Sequence, residues 1–222
     1  MMALPDRYIT ASPINATFNY TDIEEGIGYV SYYLAQGTDE NLVTRQNMAS
    51  NGVVSAAQSA DNPEWNTIFD DDYDVTFNTP KTMEGTILCS FTQGVQAVTG
   101  GKTSYSRVTV YIRKWDGSSE TEIANNVSDE VSETGDTNPE IKSPTELLEI
   151  EVPQTNFKRG ETLRITVLQE GKNQDTTTDA AIGYGHDPAN REDDYEETGE
   201  RQVINSGDTT VFRVDVPFKL FL

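Results

Sequence analysis

The stretch from residue 147 to residue 170 decides the fold. It opens Leu147-Leu148-Glu149-Ile150-Glu151-Val152-Pro153 and passes through Phe157-Lys158-Arg159-Gly160-Glu161. It then continues Thr162-Leu163-Arg164-Ile165-Thr166-Val167-Leu168-Gln169-Glu170. In the first part Leu148, Ile150 and Val152 share one side, and Glu149 and Glu151 take the other. In the last part Leu163, Ile165 and Val167 repeat the pattern. A period of two belongs to a pleated strand with one buried face, whereas a surface helix would repeat near 3.6. The polar pentapeptide around Gly160 reads as a turn.

Working outward, the same period recurs. Residues 107–115 set Val108, Val110 and Ile112 against Thr109, Tyr111 and Arg113. Asp116-Gly117-Ser118-Ser119 then makes a hairpin loop into residues 122–127. Ile87, Cys89 and Phe91 alternate within 82–91, and Val75 and Phe77 alternate ahead of Pro80. Residues 28–35, 42–45 and 180–184 are short β-rich runs. The last stretch, 209–222, carries two sets, Val211/Arg213/Asp215 and Phe212/Val214/Val216. Only 64–69 and 145–147 read as helical turns. Residues 51–63, 128–144, 171–179 and 187–199 read as polar loops. The sequence therefore predicts an all-β fold, an antiparallel β-sandwich (jelly-roll-like) of about eight to ten strands. Residues 1–26 are expected to form an extended N-terminal arm, and 27–222 a single sandwich domain.

Charge narrows the function. The 222 residues hold 16 basic and 37 acidic side chains, a net charge of −21. Such a surface repels nucleic-acid backbones and anionic membranes. No apolar run reaches the length of a membrane-spanning helix, and the first residues lack the pattern of a secretory signal. The acids are dispersed and lysines are few, as expected of a protein kept soluble in very salty water, a halophilic origin.

Candidate chemistry is sparse. One cysteine, Cys89, and one histidine, His186, rule out an internal disulfide and cysteine- or multi-histidine-built metal sites. No Gly-x-Ser-x-Gly occurs, and Cys89 lies in the apolar alternation of a strand, so a nucleophile–His186 pair is not expected. Asp187-Pro188 reads as the start of a turn, with Arg191 pinning the loop. Two acidic groups offer oxygen ligands for calcium: Asp70, Asp71, Asp72 and Asp74, and Asp187, Asp193 and Asp194. The first lacks the spacing of a helix–loop–helix calcium site, and a solvated acidic face is the plainer reading of both. Beyond calcium no cofactor is expected. Gly100-Gly101 lacks the Lys-Ser/Thr of a phosphate loop. Trp65, Trp115 and the tyrosines offer a second reading, a sugar platform on the sandwich.

Several colinear stretches resemble a family of small β-sandwich structural proteins of tailed viruses. These are Met2-Ala3-Leu4-Pro5-Asp6-Arg7-Tyr8-Ile9-Thr10, Tyr20-Thr21-Asp22-Ile23-Glu24-Glu25-Gly26-Ile27-Gly28-Tyr29-Val30, and Phe77-Asn78-Thr79-Pro80-Lys81-Thr82-Met83-Glu84-Gly85-Thr86. They continue with Phe157-Lys158-Arg159-Gly160-Glu161-Thr162-Leu163-Arg164, Gly185-His186-Asp187-Pro188-Ala189-Asn190-Arg191 and Val216-Pro217-Phe218-Lys219-Leu220. After the Asp-Pro turn this chain departs from the family's Gly- or Ser-rich loop and carries Glu192-Asp193-Asp194-Tyr195-Glu196-Glu197. The resemblance implies a non-enzymatic virion component, a capsid decoration, turret or similar accessory protein, with no catalytic residues to carry over. Its partners would be copies of itself and capsid or other virion proteins, in a virion assembled in the host cytoplasm. A glycan-binding or host-adhesion module is the alternative.

Overall fold

The computed structural model describes residues 27–36, 41–45, 54–58, 63–97, 100–135, 140–175, 180–190, 203–205 and 207–219. In chain order the strands are β1 (Ile27–Gln36), β2 (Asn41–Thr44), β3 (Val54–Gln58), β4 (Asn66–Thr76), β5 (Lys81–Ala97), β6 (Thr103–Trp115) and β7 (Glu120–Val127). They continue with β8 (Val131–Thr134), β9 (Ile141–Lys142), β10 (Thr145–Phe157), β11 (Thr162–Asn173), β12 (Ala180–Tyr184) and β13 (Phe212–Lys219). They form an eight-stranded sheet and a five-stranded sheet, with antiparallel pairing in both. Among the described residues no helix is long and apolar enough to cross a membrane.

The spine of the larger sheet is β5, 17 residues long. Its first part lies between β13 and β10, and its last part between β12 and β9. The smaller sheet runs β4-β11-β6-β7, with β8 also on β6. The turn after Phe157 carries the chain from one sheet to the other. Gly160 takes φ 88°, a left-handed conformation that a glycine adopts without strain. Its N–H donates to the Phe77 carbonyl at 2.8 Å.

The alternating residues fill the space between the sheets. Ile87, Cys89, Phe91, Leu148, Ile150, Val152 and Phe212 come from one sheet, and Val108, Val110, Ile112, Leu163, Ile165 and Val167 from the other, all in one apolar cluster. Phe91 stacks on Phe212 with ring centres 4.6 Å apart, and Phe77 meets Phe157 and Phe218 edge-on. Burial of each such side chain contributes about 1.5–3 kcal/mol.

The all-β sandwich holds, and four local expectations are corrected. The segment at 64–69 is not a helical turn: its residues from Asn66 on open β4, pairing with Gly171 and Thr67 with Glu170. Residues 145–147 open β10 rather than a helical turn, because β5 offers an unpaired flank. The expected loop at 51–63 contains β3, held by β12. The expected loop at 128–144 contains β8 and β9, with Val131 and Glu133 turned into the protein. Thirteen strands among the described residues exceed the expected number for this reason. The expected arm at 1–26 lies outside the described residues.

Candidate functional site

At one corner of the sandwich the inward face of β4 carries an acid. The alternation that buries Phe77 and Tyr73 also turns Asp71 inward, between Phe69 and Tyr73. Asp71 accepts a hydrogen bond from the Tyr184 hydroxyl at 2.7 Å and one from Asn41 Nδ2 at 3.1 Å. The Tyr73 and Tyr184 hydroxyls lie 3.0 Å apart. Tyr184 ends β12, and its ring meets His186 at 5.7 Å and Phe212 at 5.9 Å. Burial raises both tyrosine hydroxyls well above their ordinary value, so both stay protonated.

His186 is fully buried. Loss of water pushes its imidazole down to about 4, against the pull of Asp71, so the ring is neutral near pH 7. Asp187 forms the expected turn. Its Oδ1 accepts the Ala189 N–H at 3.0 Å, its carbonyl accepts the Asn190 N–H at 3.0 Å, and its own N–H donates to the Thr210 carbonyl at 2.9 Å. Asn190 closes the turn with φ 52°. Asp187 is itself fully buried. Asp193, Asp194 and Arg191 lie outside the described residues.

A second buried polar group spans the sheets. Gln169 on β11 donates through Nε2 to the Gly183 carbonyl at 2.8 Å and to Ser106 Oγ at 3.0 Å. Gln93 on β5 donates to Ser128 Oγ at 2.8 Å, and Ser128 Oγ accepts the Val108 N–H at 3.0 Å. Buried amides bonded on both sides fix the two sheets in one relative register.

The structure splits the first acidic group. Asp70, Asp72 and Asp74 point outward and Asp71 inward, as the strand period requires. Arg164 forks Asp74, with both nitrogens at 2.8 Å, and reaches Asp72 at 3.1 Å and Glu120 at 2.8 Å. These hydrogen bonds, led by Asp74, raise the guanidinium further above its ordinary value. Asp72 and Asp74 are therefore arginine partners, which corrects the reading of the four aspartates as one cluster. Among the described residues no group of three or more His, Cys, Asp or Glu side chains is arranged to hold a metal ion. Cys89 is buried among apolar residues, which pushes its thiol far up and keeps it from forming a thiolate.

The tryptophans are covered by cations. Arg107 and Lys172 lie over the Trp65 ring at 4.2 and 4.4 Å, and Arg164 lies over Trp115 at 5.5 Å. Tyr111 carries Arg113 and Tyr105 carries Lys172 in the same way. These rings form a cation–aromatic layer on the outer side of the five-stranded sheet, where a sugar platform would need open faces. Sequence reasoning missed the Asp71–Tyr184 corner. The signal was present, since extending the Val75/Phe77 alternation backwards through Tyr73 reaches Asp71.

No family model matches the chain, and no curated protein matches it. Solved structures do share its fold. An aminopeptidase from the marine sediment archaeon Thaumarchaeota archaeon aligns over 87% of this chain at 7% identity and a TM-score of 0.50. A CocE/NonD family hydrolase from Staphylococcus aureus aligns over 87% at 13% identity and a TM-score of 0.48. The chain spans about 37% of the length of each. A structure of infectious bursal disease virus Gt strain aligns over 86% of this chain and 41% of its own at 9% identity, with a TM-score of only 0.29, too low to carry weight. The comparison overturns one expectation. The chain was expected to be non-enzymatic, and its fold is shared with part of an aminopeptidase, so the exclusion of an enzyme is withdrawn. At these identities the likeness establishes the fold.

Proposed function

We propose that the chain is a structural protein of a virion, a capsid decoration, turret or similar accessory component that works by packing against copies of itself and neighbouring shell proteins. In this reading residues 27–222 act as one sandwich and residues 1–26 as an arm. The observation that carries it is Leu147, 66% exposed on the outward face of β10, a 13-residue strand that among the described residues pairs with β5 alone. A large aliphatic side chain held in water on a rigid edge strand favours a protein neighbour. The glutamine and tyrosine bonds between the sheets suit a part that must keep its shape under load. The alignments of the expected tailed-virus motifs with turns and strand ends, such as the Gly160 and Asp187 turns, fit the same role.

The test is direct. Mass spectrometry and cryo-EM of purified virions should find the chain at a fixed copy number, and Leu147→Glu should fold normally yet fail to enter particles. Absence of the chain from purified virions overturns the reading. The same purified protein is assayed on aminoacyl esters and amides. Turnover abolished by one substitution, His186→Ala included, replaces the structural role with a hydrolytic one. Binding on a glycan array that is lost in Trp65→Ala or Trp115→Ala favours the adhesion role instead.

A further inference from the structure

The interior beside Gln169 holds polar atoms that the hydrogen bonds above leave over. On the inward face of β11, Gln169, Gly171 and Asn173 follow one another at every second position. Ser104 and Ser106 do the same on β6. Register sets Ser104 opposite Asn173 and Ser106 opposite Gly171. Gln169 and both serines are fully buried, and Asn173 is 1% exposed. The Gln169 amide spends its two N–H groups on Gly183 and Ser106. Its Oε1 has no hydrogen-bond partner among the described residues, and neither has Ser104 Oγ.

Two such atoms are costly if left dry. A buried acceptor or hydroxyl without a partner loses its hydration with nothing in return. The surroundings are not apolar: at this end of the two strands the inward positions are Gln169, Asn173, Ser104 and Ser106, together with Gly171, which contributes no side chain. Directly opposite residues on neighbouring strands bring their Cβ atoms within about 5 Å, so Ser104 and Asn173 flank one small space. The facing strands supply Val95, Ala97, Ala180 and Ile182 and the buried Gln93, whose Oε1 accepts from Ser106 Oγ at 3.5 Å, while on β8 the buried Glu133 stands opposite Ser104.

We propose that this space is an internal water site, in which an ordered water donates to Gln169 Oε1 and exchanges a hydrogen bond with Ser104 Oγ. Polar interiors with two to four converging groups hold such waters, and removing one costs stability. The water then belongs to the cross-sheet network, extending the Gln169–Gly183 bond towards the end of β6.

The two possibilities predict opposite signs for one substitution. If a water bridges the site, Ser104→Ala removes one of its anchors and Tm falls by about 2–4 °C. If the hydroxyl is dry, Ser104→Ala deletes an unsatisfied group and Tm is unchanged or rises, which overturns the proposal. An independent measurement uses the wild-type chain. A crystal structure at better than about 2 Å should show a density peak within hydrogen-bonding distance of both Gln169 Oε1 and Ser104 Oγ. A site without that peak overturns the proposal whatever the variant does. Neither result depends on whether the chain belongs to a virion.

Discussion

Tyr184 holds one hydroxyl between Asp71 and Tyr73, so a single oxygen joins β12 to the inward face of β4. Tyr184→Phe keeps the ring contacts with Phe69 and Phe212 but takes from Asp71 the hydroxyl it accepts from, leaving Asn41, and from Tyr73 the hydroxyl 3.0 Å away. Stability should fall by about 1–3 kcal/mol in urea melts, and Tyr73→Phe added to it should cost less than the sum of the two single changes. His186 sets an acid limit of its own. In the folded chain it stays neutral down to about pH 4, whereas an unfolded histidine titrates near 6.5. Between those values the unfolded chain binds the extra proton. Stability is therefore complete above about pH 6.5, declines by about 3 kcal/mol on the way down to 4, and changes no further below it through this group. His186→Gln should flatten that limb. Denaturant melts of both proteins at pH 7 and pH 4.5 check this, and parallel losses in the two proteins speak against it.

At the scale of elements, residues 203–205 and 207–210 lie along the outer side of β5 and β12. Val203 and Ile204 pack on Ala181. Asn205 binds Ser143 Oγ and the Ile141 carbonyl, and Asp208 accepts from Ser143 Oγ at 2.6 Å. The seat exists because residue 94 has no side chain: a Cβ there would lie 1.8 Å from the Val203 carbonyl oxygen. Gly94→Ala should therefore displace this segment from the sheet and lower stability by about 3 kcal/mol, with new proteolytic cleavage near Val203 as the readout. Elements differ in how far they can be read from sequence. Strands β6, β10 and β11 were legible because each buries one face over many residues, which imposes the two-residue period. Strand β3, Val-Ser-Ala-Ala-Gln, has no such period, and only the edge of β12 makes it a strand. At 64–69 the spacing of Trp65, Ile68 and Phe69 imitates a helix, and pairing with β11 overrides it.

The whole molecule is governed by its charge of −21. The outer side of the five-stranded sheet binds several acids to Arg107, Arg113, Arg164 and Lys172, but those pairs cannot offset 37 carboxylates met by 16 cations. The remainder repel one another over a range of about 30 Å in 0.01 M salt and about 3 Å in 1 M salt. Exposed ion pairs contribute at most about 1 kcal/mol each, so their loss on screening is the smaller effect. Tm should rise steeply between these two salt concentrations, and a flat profile contradicts a protein adapted to brine. Replacing Arg164 by Met takes the cation from Asp72 and Asp74 and leaves Glu120 with Arg113, and should steepen the salt dependence relative to wild type.

Alternation along the chain by itself determined that this protein is a two-layered β structure and which side chains fill it. Alternation is a local property, set by the geometry of each strand. The tertiary structure alone decided what those strands stand beside. Asp71 and Tyr184, 113 positions apart, meet only because β4 and β12 face each other across the two sheets. Asp72 and Asp74 likewise became partners of Arg164 through the pairing of β4 with β11. Such neighbours depend on long-range strand order, which no short window of residues encodes.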